Sequence, residues 1–168
     1  MKPLFIIIDG PMGSGKSTVA EMLHPKMKKM AYVGVDRIKW FVSDFRRTKK
    51  DNAIARKVLI AMCDAYLKNG VGILMAHGFR EYATMKPFLQ LAKRRHARLF
   101  QYRLEAPRHV LLDRIAKRPK AKLAIAKSRI LRNLRAHAKF QYRGATLIDT
   151  SSMTPHQVAD FILKDLRK

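Results

Sequence analysis

The sequence predicts an α/β domain built on a parallel sheet with helices on both faces. Three observations carry that expectation. Strand-like apolar runs alternate with amphipathic helical patterns along the chain, the order from which βαβ units are built. The first run, Leu4–Ile8, is apolar at every position, as a strand covered on both faces must be. Directly behind it stands DGPMGSGKST, residues 9–18, which runs straight into a helical pattern.

Taken in order, Leu4–Ile8 is the first strand, and residues 16–23 form a helix that breaks near Pro25. Ala31–Val35 is a second strand. Asp36–Phe45 reads as a helix with Ile38, Phe41, Val42 and Phe45 on one face. Ala53–Lys68 reads as an amphipathic helix lined by Ile54, Val58, Leu59, Met62 and Tyr66, with Gly70 as its stop. Val71–Ala76 is a third strand. A helix over Pro87–Arg95 takes Pro87 in its first turn. Ala97–Leu104 is a fourth strand, Pro107–Lys117 a helix, and RPKAK, residues 118–122, a polar break. Leu123 to about Ala138 is helical, and Ala145–Ile148 is the fifth strand. Thr154 and Pro155 cap and open the last helix.

The chain of 168 residues suits one compact domain spanning 1–168. Its one cysteine, Cys63, cannot form an internal disulfide, so a reducing cytoplasm is the expected setting. No apolar run approaches the roughly 18 residues of a membrane span, and Leu4–Ile8 is too short for a secretory leader. No membrane partner is expected. The net charge is +24, and residues 86–143 hold 18 basic residues against Glu105 and Asp113, a net of +16. Such self-repulsion favours an anionic partner, with nucleic acid bound through 86–143 as one candidate and a plain solvated basic surface as the other.

Gly10–Ser17 reads GPMGSGKS and fits G-x-x-x-x-G-K-[ST], with a strand before it and a helix after it as that motif requires. Glycines at 10, 13 and 15 let the backbone come close to a phosphate. Backbone N–H groups over Gly10, Met12, Gly13, Ser14, Gly15, Lys16, Ser17 and Thr18 can ring the phosphates at a helix N-terminus. Lys16 brings charge to the β- and γ-phosphates, and the Ser17 hydroxyl can ligate Mg²⁺. ATP and Mg²⁺ are the expected cofactors.

From this motif and the order of its elements, the chain resembles the small P-loop kinases: nucleoside monophosphate kinases and relatives such as polynucleotide kinases, zeta toxins, gluconate kinases and chloramphenicol phosphotransferases. The resemblance implies a three-layer P-loop NTPase fold, a five-stranded parallel sheet and a short helical lid over about 118–135. It implies that Asp36, after the second strand, accepts the acceptor hydroxyl's proton and contributes to the metal with Ser17. A helix N-cap is the competing role for Asp36. Lys39, three residues on, would contact substrate. Arg114 would stabilise charge at the γ-phosphoryl, and Arg118 would contact the nucleotide base. Arg129 and Arg132 are phosphate candidates across the lid, and Arg80 is an acceptor-site cation. The family's carboxylate at the end of the third strand is replaced by His77 in ILMAHGFRE. Three readings stand: Asp36 with Ser17 carries the metal alone, Asp9 contributes, or the enzyme is slow or altered in its acceptor.

Two function classes follow. The first is an ATP-dependent phosphotransferase acting on a hydroxyl or phosphate acceptor: a nucleoside, a nucleotide or a nucleic-acid 5′ end. Arg37 keeps a monophosphate acceptor in view. The second is a basic ATP- and nucleic-acid-binding protein with little or no turnover. Either would act as a monomer or homodimer.

Overall fold

The computed structural model describes residues 2–46, 48–118, 126–140 and 144–167. Five strands form one parallel sheet in the order β2-β3-β1-β4-β5: β1 (Leu4–Asp9), β2 (Met30–Val33), β3 (Gly72–Ala76), β4 (Arg98–Glu105) and β5 (Thr146–Asp149). The described helices are α1 (Lys16–Leu23), α2 (Val35–Lys39), α3 (Lys49–Lys68), α4 (Tyr82–Arg94), α5 (Arg108–Ala116), α6 (Lys127–Lys139) and α7 (Pro155–Asp165). A 3₁₀ turn over His24–Lys26 ends α1 at Pro25. The expected fold class is the observed one. Of the expected lid, residues 119–125 lie outside the described residues.

Strand pleating explains the three layers. Side chains of β1 point alternately to the two faces. Phe5 and Ile7 pack with Leu59, Cys63 and Phe88 from α3 and α4. Ile6 and Ile8 pack with Val19, Leu23, Val158 and Ile162 from α1 and α7. All four β1 residues are fully buried, worth roughly 1.5–3 kcal/mol each. With β3 and β4 on either side of it, β1 delivers its C-terminal end to the middle of the sheet edge. There the chain turns one way to β2 and later crosses back to β4, the position at which open α/β sheets bind ligands.

Capping follows sequence rules. Thr154 closes a box on α7: Gln157 N–H donates to its Oγ1 at 3.3 Å, and Thr154 N–H donates to Gln157 Oε1 at 2.8 Å. Thr48 and Asp51 close the same box on α3. Gly70, at φ 73°, follows α3 as its stop.

Three expectations need correction. Pro87 lies inside α4, not in its first turn. The helix starts at Tyr82 because Met85 ahead of the proline, like Phe88 and Leu91 behind it, is buried on the α3 side, which offsets the one backbone bond that proline cannot make. Leu59 lies on the buried seam of α3 with Ala55, Cys63 and Leu67, and Met62 packs half-buried against the same core, while Ile54, Val58 and Tyr66 are exposed; two adjacent rows of the helix are apolar, and only one faces the core. Finally, α2 ends at Lys39 rather than reaching Phe45. It unwinds through three i→i−3 bonds, Trp40 N–H to Arg37 O, Phe41 N–H to Ile38 O and Val42 N–H to Lys39 O, each 3.2 Å. The tighter winding turns Phe41 and Val42 away from the core that holds Ile38.

Candidate active site

The loop after β1 is built by close packing. Gly10 sits at φ 144°, and a Cβ there would stand 2.3 Å from the Leu104 carbonyl of β4. Gly13, at φ 86°, would bring a Cβ to 2.7 Å from the Leu111 carbonyl of α5. Neither position admits a side chain. The buried Ser14 closes a turn on Pro11 O at 3.3 Å. Gly15 caps α1 without any side-chain acceptor, leaving the N–H groups of the first turn, at Lys16, Ser17 and Thr18, for a ligand. Lys16 folds back over the loop and donates from Nζ to Pro11 O at 2.6 Å. Burial pulls its ammonium down to about 8; Asp9 and Asp36 oppose that shift and Arg118 adds to it.

A cavity of about 330 Å³ opens beside the loop, between Gly15 and Thr18 on one side and Arg114, Arg118, Thr150 and Met153 on the other. Arg114 is tied to the base of the loop after β5, donating from Nη1 to Thr150 Oγ1 at 2.9 Å and from Nη2 to the Thr150 carbonyl. Thr150 is itself buried and bonded to Glu105 O. Arg118, one turn on, is the arginine whose charge reaches Lys16.

Asp9, fully buried, accepts from Phe79 N–H at 2.8 Å and faces Arg103 at 3.9 Å. It ties the end of β1 to the loop after β3 and has no surface to offer a hydrated ion. Burial pushes its carboxyl up. His77 stands at the end of β3, as expected, with its ring edge-on to Phe79 at 4.7 Å and its N–H on Ile8 O. Burial pulls its imidazole down to about 4, so it is neutral, and it feels the charges of Asp36, Lys16, Lys39 and Arg56. Because β3 lies between β1 and β2 in the sheet, His77 stands between the loop after β1 and the helix after β2.

Asp36 does not cap α2. Gly34 holds the N-cap position and Asp36 is the second helical residue, because the helix begins one residue earlier than expected. Its carboxylate is 77% exposed and accepts from Lys39 Nζ at 2.8 Å, whereas Lys39 is only 13% exposed. Arg37 lies over the Tyr32 ring at 4.1 Å, and the Tyr32 hydroxyl meets the Ser17 side chain. Arg80 is exposed on the loop after β3, and Arg129 and Arg132 are exposed on α6.

Sequence reasoning missed the other face of α6. Met12 N–H, expected to face phosphate, donates to Asn133 Oδ1 at 2.9 Å. His137, one turn further, is 2% exposed with neither ring nitrogen hydrogen-bonded among the described residues. Its Nε2 would stand 3.1 Å from a Cβ at Gly78. Burial and nearby cations, Lys16 first among them, pull it down to about 3. The available signal was Asn133 and His137 four residues apart in a helix otherwise crowded with arginine.

A family model for the AAA domain matches residues 5–144. No curated protein matches the chain in sequence. Among solved structures, an unliganded sugar kinase from Janibacter sp. HTCC2649 is similar at TM-score 0.74 and 17% identity, covering 98% of this chain and 95% of that one. The Mycobacterium tuberculosis APS kinase CysC, solved with AMPPNP and APS, is similar at TM-score 0.73 and 18% identity, covering 99% of both chains. A chain of the Pnkp1/Rnl/Hen1 RNA repair complex is similar at TM-score 0.71 and 20% identity, covering 83% of this chain and 47% of that one. At these identities the likeness establishes the fold.

Proposed function

The chain belongs to the AAA domain family, and from that premise we propose that it is an ATP-dependent phosphotransferase, acting as one catalytic unit. One observation carries the reading. The uncapped first turn of α1, with Lys16 folded back over its loop, and the Asp36 carboxylate on the helix after β2 lie at the same C-terminal edge of the sheet. That arrangement joins a phosphate cradle to a proton acceptor.

ATP phosphates bind the first-turn N–H groups of α1, and Lys16 leaves Pro11 O for them. Arg114 and Arg118 both line the cavity beside the loop; Arg114 stabilises charge at the γ-phosphoryl and Arg118 contacts the base. The Ser17 hydroxyl and the Asp36 carboxylate are hard oxygen donors and suit Mg²⁺, which keeps most of its waters and leans on substrate phosphates. The chemistry that a bound Mg²⁺ supplies is neutralisation of phosphate charge. Asp36 accepts the proton of the acceptor hydroxyl; the hydroxyl oxygen bonds to the γ-phosphorus as its bond to the β–γ bridging oxygen breaks, and ADP leaves. Lys39 releases Asp36 to contact the acceptor, and Arg80 adds a cation there.

The test is transfer of label from γ-labelled ATP to nucleosides, monophosphates and 5′-hydroxyl oligonucleotides. Label on one acceptor class, lost in Lys16→Ala, is the expected result. A second reading, nucleotide and nucleic-acid binding with little turnover, is favoured by His77 standing where kinases carry a carboxylate. Label on no acceptor, with RNA retained, would support it. Nucleic acid would meet the basic surface of 86–143, where Arg129, Arg132 and Arg135 are exposed on α6.

A further inference from the structure

The turn behind α2 carries apolar surface that the fold does not use. Trp40 and Phe41 are each 81% exposed, and Val42 beside them is also exposed. The turn is held in shape by the three backbone bonds that end α2, so the two rings are presented on ordered backbone. Trp40 follows Asp36 by four residues, the spacing that puts side chains on one helix face; the backbone is still right-handed helical at Trp40. The platform is thus one turn from the carboxylate assigned to the acceptor hydroxyl.

Its surroundings are cationic. Residues 37–57 hold eight Lys and Arg against Asp44 and Asp51. Three of the eight are committed elsewhere or turned inward: Arg37 lies over Tyr32, Lys39 holds Asp36, and Arg56 acts on His77. Arg46, Lys49, Lys50 and Lys57 are exposed. Exposed aromatic faces followed along the chain by such exposed cations match a chain that alternates π-faces with anions. A lipid surface would also meet aromatic and basic residues. It is flat, however, while Trp40, at the C-cap of α2, stands one turn from Asp36 at the C-terminal edge of the sheet.

We propose that Trp40 and Phe41 form a base-stacking platform for a single-stranded nucleic acid, whose 5′ end enters the acceptor site at Asp36 and whose phosphates meet the exposed cations of residues 46–57. The proposal rests on the phosphotransferase reading for its choice of 5′ end. Stacking itself requires no turnover. It assigns acceptor selection to aromatic faces, which accept any base, so the acceptor is defined by being single-stranded rather than by sequence.

Trp40 is the only tryptophan in the chain, so its fluorescence reports the platform directly. The full-length protein is titrated with a short 5′-hydroxyl oligothymidylate, with an abasic backbone of equal length, and with phosphatidylserine–phosphatidylcholine vesicles. The expected result is quenching by oligothymidylate alone. In anisotropy with labelled oligothymidylate, Trp40→Ala and Phe41→Ala each weaken binding about tenfold, and Trp40→Phe restores most of it. ATP affinity is unchanged in all three, and the oligonucleotide quench persists in Lys16→Ala. The platform and the ATP site therefore fail separately. Equal quenching by the abasic backbone, wild-type affinity in Trp40→Ala, a response to vesicles alone, or a concentration-dependent Trp40 shift without ligand would each overturn the proposal. The last two would assign the surface to membrane or to a second copy of this chain.

Discussion

The nucleotide side and the acceptor side of the proposed site are built on opposite plans. On the nucleotide side, Gly10 and Gly13 sit against the carbonyls of Leu104 and Leu111 with no room for a methyl group, Ser14 is buried, and the groups that would meet phosphate are mostly backbone N–H, with the Lys16 ammonium beside them. On the acceptor side, α2 is five residues long, Asp36 and Trp40 are exposed, and every group that would meet an acceptor is a side chain. Backbone groups serve one ligand geometry and need special residues to present them. Side chains can be exchanged while the helix beneath them is kept. On the proposed reading, the difference teaches that a triphosphate grip is constrained by the fold, whereas acceptor choice would be held by a few surface residues.

The sharpest way to break this comparison is Asp36→Ala, which is expected to lower kcat about 10²- to 10⁴-fold with little change in ATP affinity, measured by label transfer and calorimetry. Equal loss in both would move Asp36 to the nucleotide side. Lys16→Ala should lower kcat/KM at least about 100-fold, a magnitude typical of removing one charge-stabilising group, and should weaken ATP binding as well. Gly10→Ala should destabilise the fold by about 1–3 kcal/mol from its backbone conformation alone, with more from the Leu104 clash, read as a fall in Tm. No comparable loss is expected from Trp40→Ala, whose ring is mostly in solvent.

The pH response divides the two sides again. Nucleotide binding favours the Lys16 ammonium, whose free-state pKa is drawn down to about 8 and should rise when phosphate replaces Pro11 O. ATP affinity should then be flat below pH 8 and fall as pH rises above it, approaching tenfold per unit until the bound-state pKa is reached. Lys16→Arg would remove that fall. The smallest effect belongs to Asn133→Ala. Loss of its bond to Met12 N–H should cost about 1 kcal/mol, and Asn133→Asp should restore Tm while altering ATP affinity by bringing a carboxylate to the loop.

What the sequence made legible follows the same division. Leu4–Ile8 could be read as a doubly covered strand because every position is apolar, and the spacing GPMGSGKS has a backbone purpose that few other structures share. Thr154 with Pro155 announces its cap locally. The misreadings lie where two alternatives look alike in one dimension. Phe41 and Val42 fit a helical apolar stripe, and only the tightening of the chain after Lys39 turns them outward. Ile54 and Val58 stand next to Ala55 and Leu59 on α3, and only the packing of Ala55 and Leu59 into the core, which lies in three dimensions, decides which apolar row is buried. The spacing of Asn133 and His137 on α6 shows only that they share a face; what that face meets, Met12 N–H and the close approach of Gly78, is distant in sequence.

The most direct test is a crystal structure of the protein with a non-hydrolysable ATP analogue and Mg²⁺. The account predicts the triphosphate along the first turn of α1, with Lys16 Nζ on β- and γ-phosphate oxygens and no longer on Pro11 O. A structure in which Lys16 still donates to Pro11 O and the analogue lies elsewhere would contradict it.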